Sequence, residues 1–473
     1  MTDEAVMTVA PERPPTVLQV ASHLEDLVTA RRFEEVRAIC SDAAPVELAE
    51  VLSALSPESE AVVFRVLPPA SALDAFEYLE ISDQEELLRH LGDEEVAAVL
   101  NDMSADDRTA LLEELPGKVT KRLLNLLSPK ERSVATRLLG YPEESIGRLM
   151  TPDYVAVKPH WTVAQSLEHI RRFGKDSETL NVVYVTGPGG VLVDDIRMRE
   201  LLLVDPQTLV ADLLDEKFVA LEAGEDQEVA VATFQRHDRS ALPVTDSRGV
   251  LVGIVTVDDV LDVAREEATE DIHMLGGVEA LEEPYLQTSL KAIIRKRAFW
   301  LMLLFFGQTL TATAMGFFEA EIASAVVLAL FLPLIISSGG NSGSQAAALV
   351  TRAMALGEVG VKDWWLIAKR ELAAGLVLGL MLGGLGVARV AIWGVALNAY
   401  GEAWPLIALV VLLALIGVVL WGSMTGSLLP LVLARFGADP AASSTPFVAT
   451  IVDVVGIVIF FLLAKMVLTG TLL

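Results

Sequence analysis

The sequence predicts a multidomain membrane protein: an acidic all-α helical solenoid, an α/β internal repeat, a connecting helix and five α-helical spans. Three observations predict it. The formal charge of −28 is confined to one part of the chain: residues 1–297 hold 56 acidic and 29 basic side chains, and residues 298–473 hold 8 and 7. That last part contains five apolar stretches of the roughly 20 residues a bilayer-crossing helix needs. Between the acidic and apolar parts, a stretch of about 60 residues occurs twice, the mark of a repeat architecture. A chain of 473 residues is also too long for one ordinary domain.

Residues 1–19 are polar, acidic and proline-containing, and are expected to be disordered. They show no secretory signal pattern, so the soluble part is expected in the cytosol. Residues 20–140 form the acidic helical module, with apolar residues at helical spacing. Ser104 with Asp107, and Ser128 followed by Pro129 and Glu131, are helix starts by their capping chemistry. A stack of helix pairs is the architecture these short helices favour. The single cysteine, Cys40, excludes an intrachain disulfide. The acidic balance argues against nucleic acid as a partner.

Residues 141–265 carry the repeat, each half reading strand, helix, strand, Gly-containing turn, strand, helix. The run "ALPVTDSRGVLVGIVTVDDVL" (241–261) resembles the second half of a CBS domain, and the two halves together resemble a tandem CBS pair. In that family a Gly-x-x-Thr-x-x-Asp element often binds adenosine ribose. Here the element is Gly253, Thr256 and Asp259, so the resemblance implies an ATP site at Thr256 and Asp259. In the first half Arg197 and Glu200 stand in the Thr and Asp places, and the element is lost.

Residues 266–297 are the connector. The stretch leading into it places Asp258, Asp259, Asp262, Glu266, Glu267, Glu270 and Asp271 against one arginine. Such a run is either a solvated face or a set of carboxylates suited to a hard cation such as Mg²⁺.

Residues 298–473 are the transmembrane part, with spans near 298–318, 322–349, 372–398, 404–433 and 446–470. Basic residues before the first span (Lys291, Arg295, Lys296, Arg297), between the second and third (Arg352, Lys362, Lys369, Arg370) and between the fourth and fifth (Arg435) fall on one side only if there are five spans. The positive-inside rule puts that side in the cytosol and the C-terminus outside. Two features argue for more than an anchor. The second span contains "SSGGNSGSQ" (337–345), poor helix by propensity and tolerable as irregular backbone only beside protein or a water-filled path. The fifth contains Asp453 within apolar sequence, and an intramembrane carboxylate marks an ion or substrate route. Thr445, Ala449, Asp453 and Gly456 recur at helical spacing and are read as one stripe.

The whole order of parts resembles the MgtE family of magnesium channels. The resemblance is carried by "YPEESIGRLMTPDYVAV" (141–157), "ATEDIHMLGG" (268–277), "FLPLIISSGGNSGSQAAALVTRAMALGEV" (331–359) and "TPFVATIVDVVG" (445–456). It implies a homodimer in the lipid bilayer of the cell membrane, with a pore on the two-fold axis lined by the second and fifth spans. It implies a pore ion site at Asp453, with Ala449, Thr445, Asn341 and Gly340 beside it, and Asp439 at the cytosolic mouth. The family commonly has Asn where Thr445 stands. It further implies that cytosolic Mg²⁺ closes the pore by bridging Asp106 and Asp107 of the helical module with Asp259, Asp262, Glu267, Glu270 and Asp271. The family's third acid of the helical module is replaced by Ala110.

The alternatives are a transporter of another divalent cation such as Co²⁺ or Mn²⁺, an intramembrane aspartyl protease, and a non-transporting Mg²⁺ sensor. No cysteine, and no histidine beyond His273, stands in the apolar part to favour a softer metal. A protease needs two carboxylates sharing one site, and one chain supplies a single deep carboxylate. Arg389, late in the third span, is read as snorkelling to the outer surface.

Overall fold

Every twelfth residue starts a helix in the N-terminal module. The N-caps are Ala44, Ser56, Pro68, Glu80, Gly92, Ser104, Pro116 and Ser128. A computed structural model of the protein describes residues 16–41, 43–215, 217–281, 285–286 and 288–472. It divides into two compact units between Val263 and Ala264, each described by itself. Of the stretch expected to be disordered, residues 1–15 lie outside the described residues. Residues 17–19 are already helical.

The ten helices of the module are α1 (Val17–Thr29), α2 (Phe33–Ser41), α3 (Pro45–Ser53), α4 (Pro57–Val66), α5 (Pro69–Glu77), α6 (Ile81–His90), α7 (Asp93–Asp102), α8 (Ala105–Glu114), α9 (Gly117–Leu126) and α10 (Pro129–Leu138). They pack largely on the next but one: α1 on α3, α2 on α4, α3 on α5, α4 on α6, α6 on α8, α7 on α9 and α8 on α10. This is the solenoid the sequence predicts. Its core is a run of buried leucines and phenylalanines, among them Leu24, Leu52, Phe76, Leu87, Leu100 and Leu111. The expected starts hold, with Ser104 Oγ accepting from the Asp107 amide and Ser128 Oγ from that of Glu131, both at 3.3 Å.

The fourth residue after an N-cap has a recurring duty. Gln84 donates to the carbonyls of Phe76 and Leu79 at 2.9 and 3.1 Å. Arg108 donates to Leu100 and Met103 at 3.0 and 3.2 Å, and Arg132 to Leu124 and Leu127 at 2.7 and 3.2 Å. These are helix-end carbonyls that lack intrahelical partners, so a donor from the next helix satisfies them. Glu60 occupies the same slot.

The α/β part follows as α11 (Ile146–Leu149), β1 (Ala156–Val157), α12 (Val163–Phe173), β2 (Val182–Thr186), β3 (Leu192–Arg197), α13 (Met198–Leu203), β4 (Leu221–Glu222), α14 (Gln227–His237), β5 (Ala241–Thr245), β6 (Leu251–Thr256) and α15 (Val257–Leu275). Two three-stranded sheets, β1-β2-β3 and β4-β5-β6, share one topology, a parallel pair followed by an antiparallel pair. Both have a register shift at the same place, between Val185 and Thr186 and between Val244 and Thr245. The repeat is therefore real in three dimensions: this is a CBS pair. The halves lock through mutual bonds of Thr151 and Ile254 at 2.8 and 2.9 Å. Gly253 lies at that seam, where a Cβ would come within 2.7 Å of Met150 Sδ. His160 and His169 pack against Trp161, and His169 also against Phe173.

Among the described residues of the second unit, five helical segments are long and apolar enough to cross a membrane: Leu290–Phe317, Val326–Ala355, Val361–Ala396, Gly401–Arg435 and Thr445–Leu468. Their regular helices are α16 (Leu290–Phe317), α18 (Leu332–Ala355), α19 (Trp364–Ala396), α20 (Trp404–Arg435) and α21 (Thr445–Leu468), with α17 (Glu319–Ser324) joining the first two. The count is as expected. The first and third begin earlier than the apolar pattern, because stretches holding charged residues, 291–297 in α16 and 369–371 in α19, continue the helix. Arg389 lies with its guanidinium 5.7 Å from the Phe331 ring and 6.0 Å from that of Trp393, a cation–π setting.

One expectation fails. The glycine run 337–345 is no break, since α18 is continuous through it. Gly339 and Gly343 are buried, and a Cβ on Gly343 would lie 2.9 Å from the Gly422 carbonyl oxygen of α20. A Cβ on Gly422 or Gly426 would in turn strike the carbonyls of Gly339 and Gly343. Backbone-to-backbone packing, which small residues permit in membranes, outweighs glycine's poor helix propensity.

Candidate functional site

Two groups of side chains gather acids, one in each unit. In the second unit α21, which packs on α18, carries Asp453. Gly340 faces Ala449, an added Cβ falling 3.6 Å from the Ala449 Cβ. Ser344 Oγ donates to the Thr445 carbonyl at 3.4 Å. Asn341 and Thr445 are exposed, and Ala449 and Asp453 are half-buried. The structure thus brings Gly340, Thr445 and Ala449 to one seam, with Asn341 next to Gly340 in α18 and Asp453 one helical turn beyond Ala449 in α21. Gly456 leaves the expected stripe: it is buried, and its Cβ position lies 3.2 Å from Val418 of α20. Its small size serves helix packing there. One partner was missed by sequence reasoning, Gln308 of α16, whose Nε2 donates to Asp453 Oδ2 at 3.1 Å.

Between α20 and α21 of the same unit, Asp439 caps a short turn by accepting from the Ala441 amide at 2.8 Å. Burial raises the Asp271 carboxyl, the nearby Asp439 adds to this and Arg352 opposes it. Gly277, just past the end of α15 and inside the connector, lies in the left-handed region, φ +72°, with its Cβ position 3.4 Å from Pro446 and 3.5 Å from Ser444 Oγ, at the start of α21. The turn that closes α15 therefore seats on the first turn of α21, the helix that carries Asp453.

In the first unit the acids converge around Asp106. Asp106 is buried, and its Oδ1 has no hydrogen-bond partner. Burial pushes its carboxyl well above the usual range, and Asp259, Asp107 and Glu178 push it further. Asp259 is raised to about 7, first by burial and then by Asp258, Asp107 and Glu178, against a hydrogen bond from Thr256. Asp107 is raised by burial and by Asp258 and Asp262, despite the 2.6 Å bond from Ser104 Oγ. Glu77 rises to about 7 through burial, with Asp107, Asp74 and Glu178 adding, and Glu178 rises through burial, Asp258, Asp107 and Asp153. Asp106, Asp107 and Asp259 are thus mutual neighbours, and Asp262 adjoins Asp107. Glu77 and Glu178 join them without any sequence signal. Ala110 is exposed.

Along α15 the 100° step per residue puts Asp259, Asp262, Glu266 and Glu270 on one stripe, with Glu267 and Asp271 beside it. Among the described residues no group of three or more His, Cys, Asp or Glu is drawn together tightly enough to hold a bare metal ion. A hydrated Mg²⁺ asks for less, because it keeps several waters and its shell spans wider gaps.

Comparison with known proteins follows the same division. A family described as "Divalent cation transporter" matches residues 332–463, "MgtE intracellular N domain" matches 43–144, and "CBS domain" matches 193–266. The magnesium transporter MgtE of Thermus thermophilus is 38% identical over 348 residues, covering 74% of this chain and 75% of that protein. This chain belongs to the MgtE family of magnesium transporters. The MgtE of Enterococcus faecalis is 32% identical over 337 residues, 71% of this chain and 72% of that one. Among solved structures, the cytosolic domain of the Mg²⁺ channel MgtE in complex with ATP is 34% identical, with a TM-score of 0.49, over 51% of this chain and 99% of that one. MgtE proteins are transporters rather than enzymes, which sets aside the protease. In this MgtE chain the transporter match contains Asn341, Thr445, Ala449 and Asp453, and the N-domain match contains Asp106 and Asp107.

Proposed function

We propose that two copies of this chain form a Mg²⁺-selective channel that imports magnesium across the cytoplasmic membrane, with the N-terminal domains in the cytosol and the C-terminus outside. The observation that carries the reading is Asp453, the only ionisable residue between Thr445 and Ala464, one helical turn beyond Ala449, which meets Gly340. Mg²⁺ dehydrates reluctantly. A path for it needs room for a water shell and oxygen groups around it, and Asn341, Thr445 and Asp453 offer amide, hydroxyl and carboxylate. Two copies of Asp453 on a symmetry axis set −2 against +2.

Closure is by cytosolic Mg²⁺. Carboxylates that repel one another around Asp106 are bridged when the ion binds, a two-state element biased by its ligand. Asp271, Asp439 and the Gly277 turn give the connector its hold on α21. In the second CBS repeat, Thr256 Oγ1 donates to Asp259 Oδ2 at 2.5 Å. This steadies a carboxylate whose other oxygen fits the hydroxyls of a ribose, so ATP is the nucleotide proposed there.

The test is Mg²⁺ uptake into proteoliposomes. Asp453→Asn is expected to reduce uptake to the level of protein-free liposomes. Wild-type rates from that variant would sink the pore assignment.

A further inference from the structure

The first span carries no buried residue in its most apolar stretch, yet it makes one specific polar contact. Gln308 Nε2 donates to Asp453 Oδ2 at 3.1 Å, across 145 residues of sequence. The amide orientation follows from chemistry, since an ionised carboxylate only accepts and the NH₂ must face it. The contact is built rather than incidental. Gly307, just before Gln308, lies where a Cβ would come within 2.5 Å of Thr450 Cγ2, so α16 reaches α21 here only because residue 307 has no side chain. Thr450 turns its hydroxyl to the Pro446 carbonyl at 2.9 Å and leaves Asp453 to Gln308. An unpaired amide at membrane depth would be costly, and this bond is what Gln308 receives.

We propose that Gln308 is a positioning residue that makes the Asp453 site selective for Mg²⁺ over Ca²⁺. The inference rests on reading Asp453 as the pore ion site. Ca²⁺ sheds water readily and takes carboxylates with both oxygens, whereas Mg²⁺ holds its waters and is satisfied by one. With Oδ2 engaged by Gln308, Asp453 presents Oδ1 alone. Two-oxygen capture of Ca²⁺ then requires breaking the Gln308 bond, and one-oxygen contact with hydrated Mg²⁺ does not. The amide also fixes the carboxylate's rotation before the ion arrives, which removes an ordering cost from Mg²⁺ binding.

The experiment measures Ca²⁺ inhibition of Mg²⁺ uptake by full-length protein in proteoliposomes, normalised to each protein's own Ca²⁺-free rate. Gln308→Met, which keeps the shape and removes the donor, should be inhibited by about tenfold less Ca²⁺ than wild type, the effect of a charged hydrogen bond lost. Gln308→Asn keeps the amide but withdraws it by one methylene, and should behave likewise should the Met variant not assemble. Thr309→Ala, whose hydroxyl donates to Phe306 of its own helix, is the neighbouring control and should retain wild-type Ca²⁺ sensitivity. A folding defect lowers the rate without moving this ratio. Wild-type Ca²⁺ sensitivity in either Gln308 variant overturns the inference. Wild-type uptake by Asp453→Asn, run in parallel, instead overturns the pore reading beneath it.

Discussion

Around Asp106 carboxylates face carboxylates, while at Asp453 a carboxylate faces an amide. The first group includes Glu77, Asp107, Glu178 and Asp259, each raised by burial and by the others. Such a group is at odds with itself until protons or a cation arrive, which suits a sensor. The second is a single acid held by Gln308, which suits a site an ion enters and leaves. On the proposed function, one fold uses the same functional group as a switch in one unit and as a stepping stone in the other.

The comparison breaks most clearly by separating the two. Asp453→Asn should abolish uptake and leave Mg²⁺ protection of residues 258–277 from protease intact. Asp106→Asn combined with Asp259→Asn should do the reverse, keeping uptake and raising the Mg²⁺ needed for protection about tenfold, within the usual range of coupling energies. If both variants alter both readouts equally, the two sites are not distinct in role.

A smaller effect is expected with pH. Asp259 and Glu77 have folded-state values near 7, above the model-compound values of 3.8 and 4.5. A raised carboxylate stabilises the fold fully below its unfolded pKa, and that contribution is lost as pH rises through the folded value. In chelator, the thermal midpoint of the cytosolic transition should therefore fall between about pH 4 and pH 7. Saturating Mg²⁺ should flatten the fall, and Mg²⁺ binding at pH 7 should release protons. A midpoint that rises over this range in chelator would contradict the crowding around Asp106.

The smallest change tests whether every buried acid belongs to the sensor. Glu60 occupies the slot filled elsewhere by Gln84, Arg108 and Arg132, all donors to helix-end carbonyls. Burial pushes it up to about 8, with Asp83 and Glu86 adding, so near neutrality it is protonated and able to donate as they do. Glu60→Gln should raise stability by about 1 kcal/mol at pH 9, leave pH 6 nearly unchanged, and leave Mg²⁺ protection of the connector unaltered.

Much of this was legible in the sequence. The five spans, the duplicated sheets and the caps at Ser104 and Ser128 follow from periodicity and local chemistry, which act over a few residues. The twelve-residue helix period was harder to read, because its starts use Ala, Ser, Pro, Glu and Gly in turn. Glu77, Glu178 and Gln308 were invisible as site residues, since each reaches its partners through tertiary packing. The continuity of α18 was misread for the same reason: its glycines look like breaks until α20 is set against them.

Those glycines also decide where the membrane part can yield. With the carbonyls of Gly339 and Gly343 pressed against Gly422 and Gly426, α18 and α20 are fused like two planks glued edge to edge. Neither can slide or turn on the other without a collision of main chains. The opposite edge of α18, where Gly340 meets Ala449 at ordinary spacing, has no such bond. On the proposed reading, a path along Asp453 has only side chains to move at that edge, where Gly339 and Gly343 meet Val452 and Val448 of α21, the helix on whose first turn the end of α15 rests.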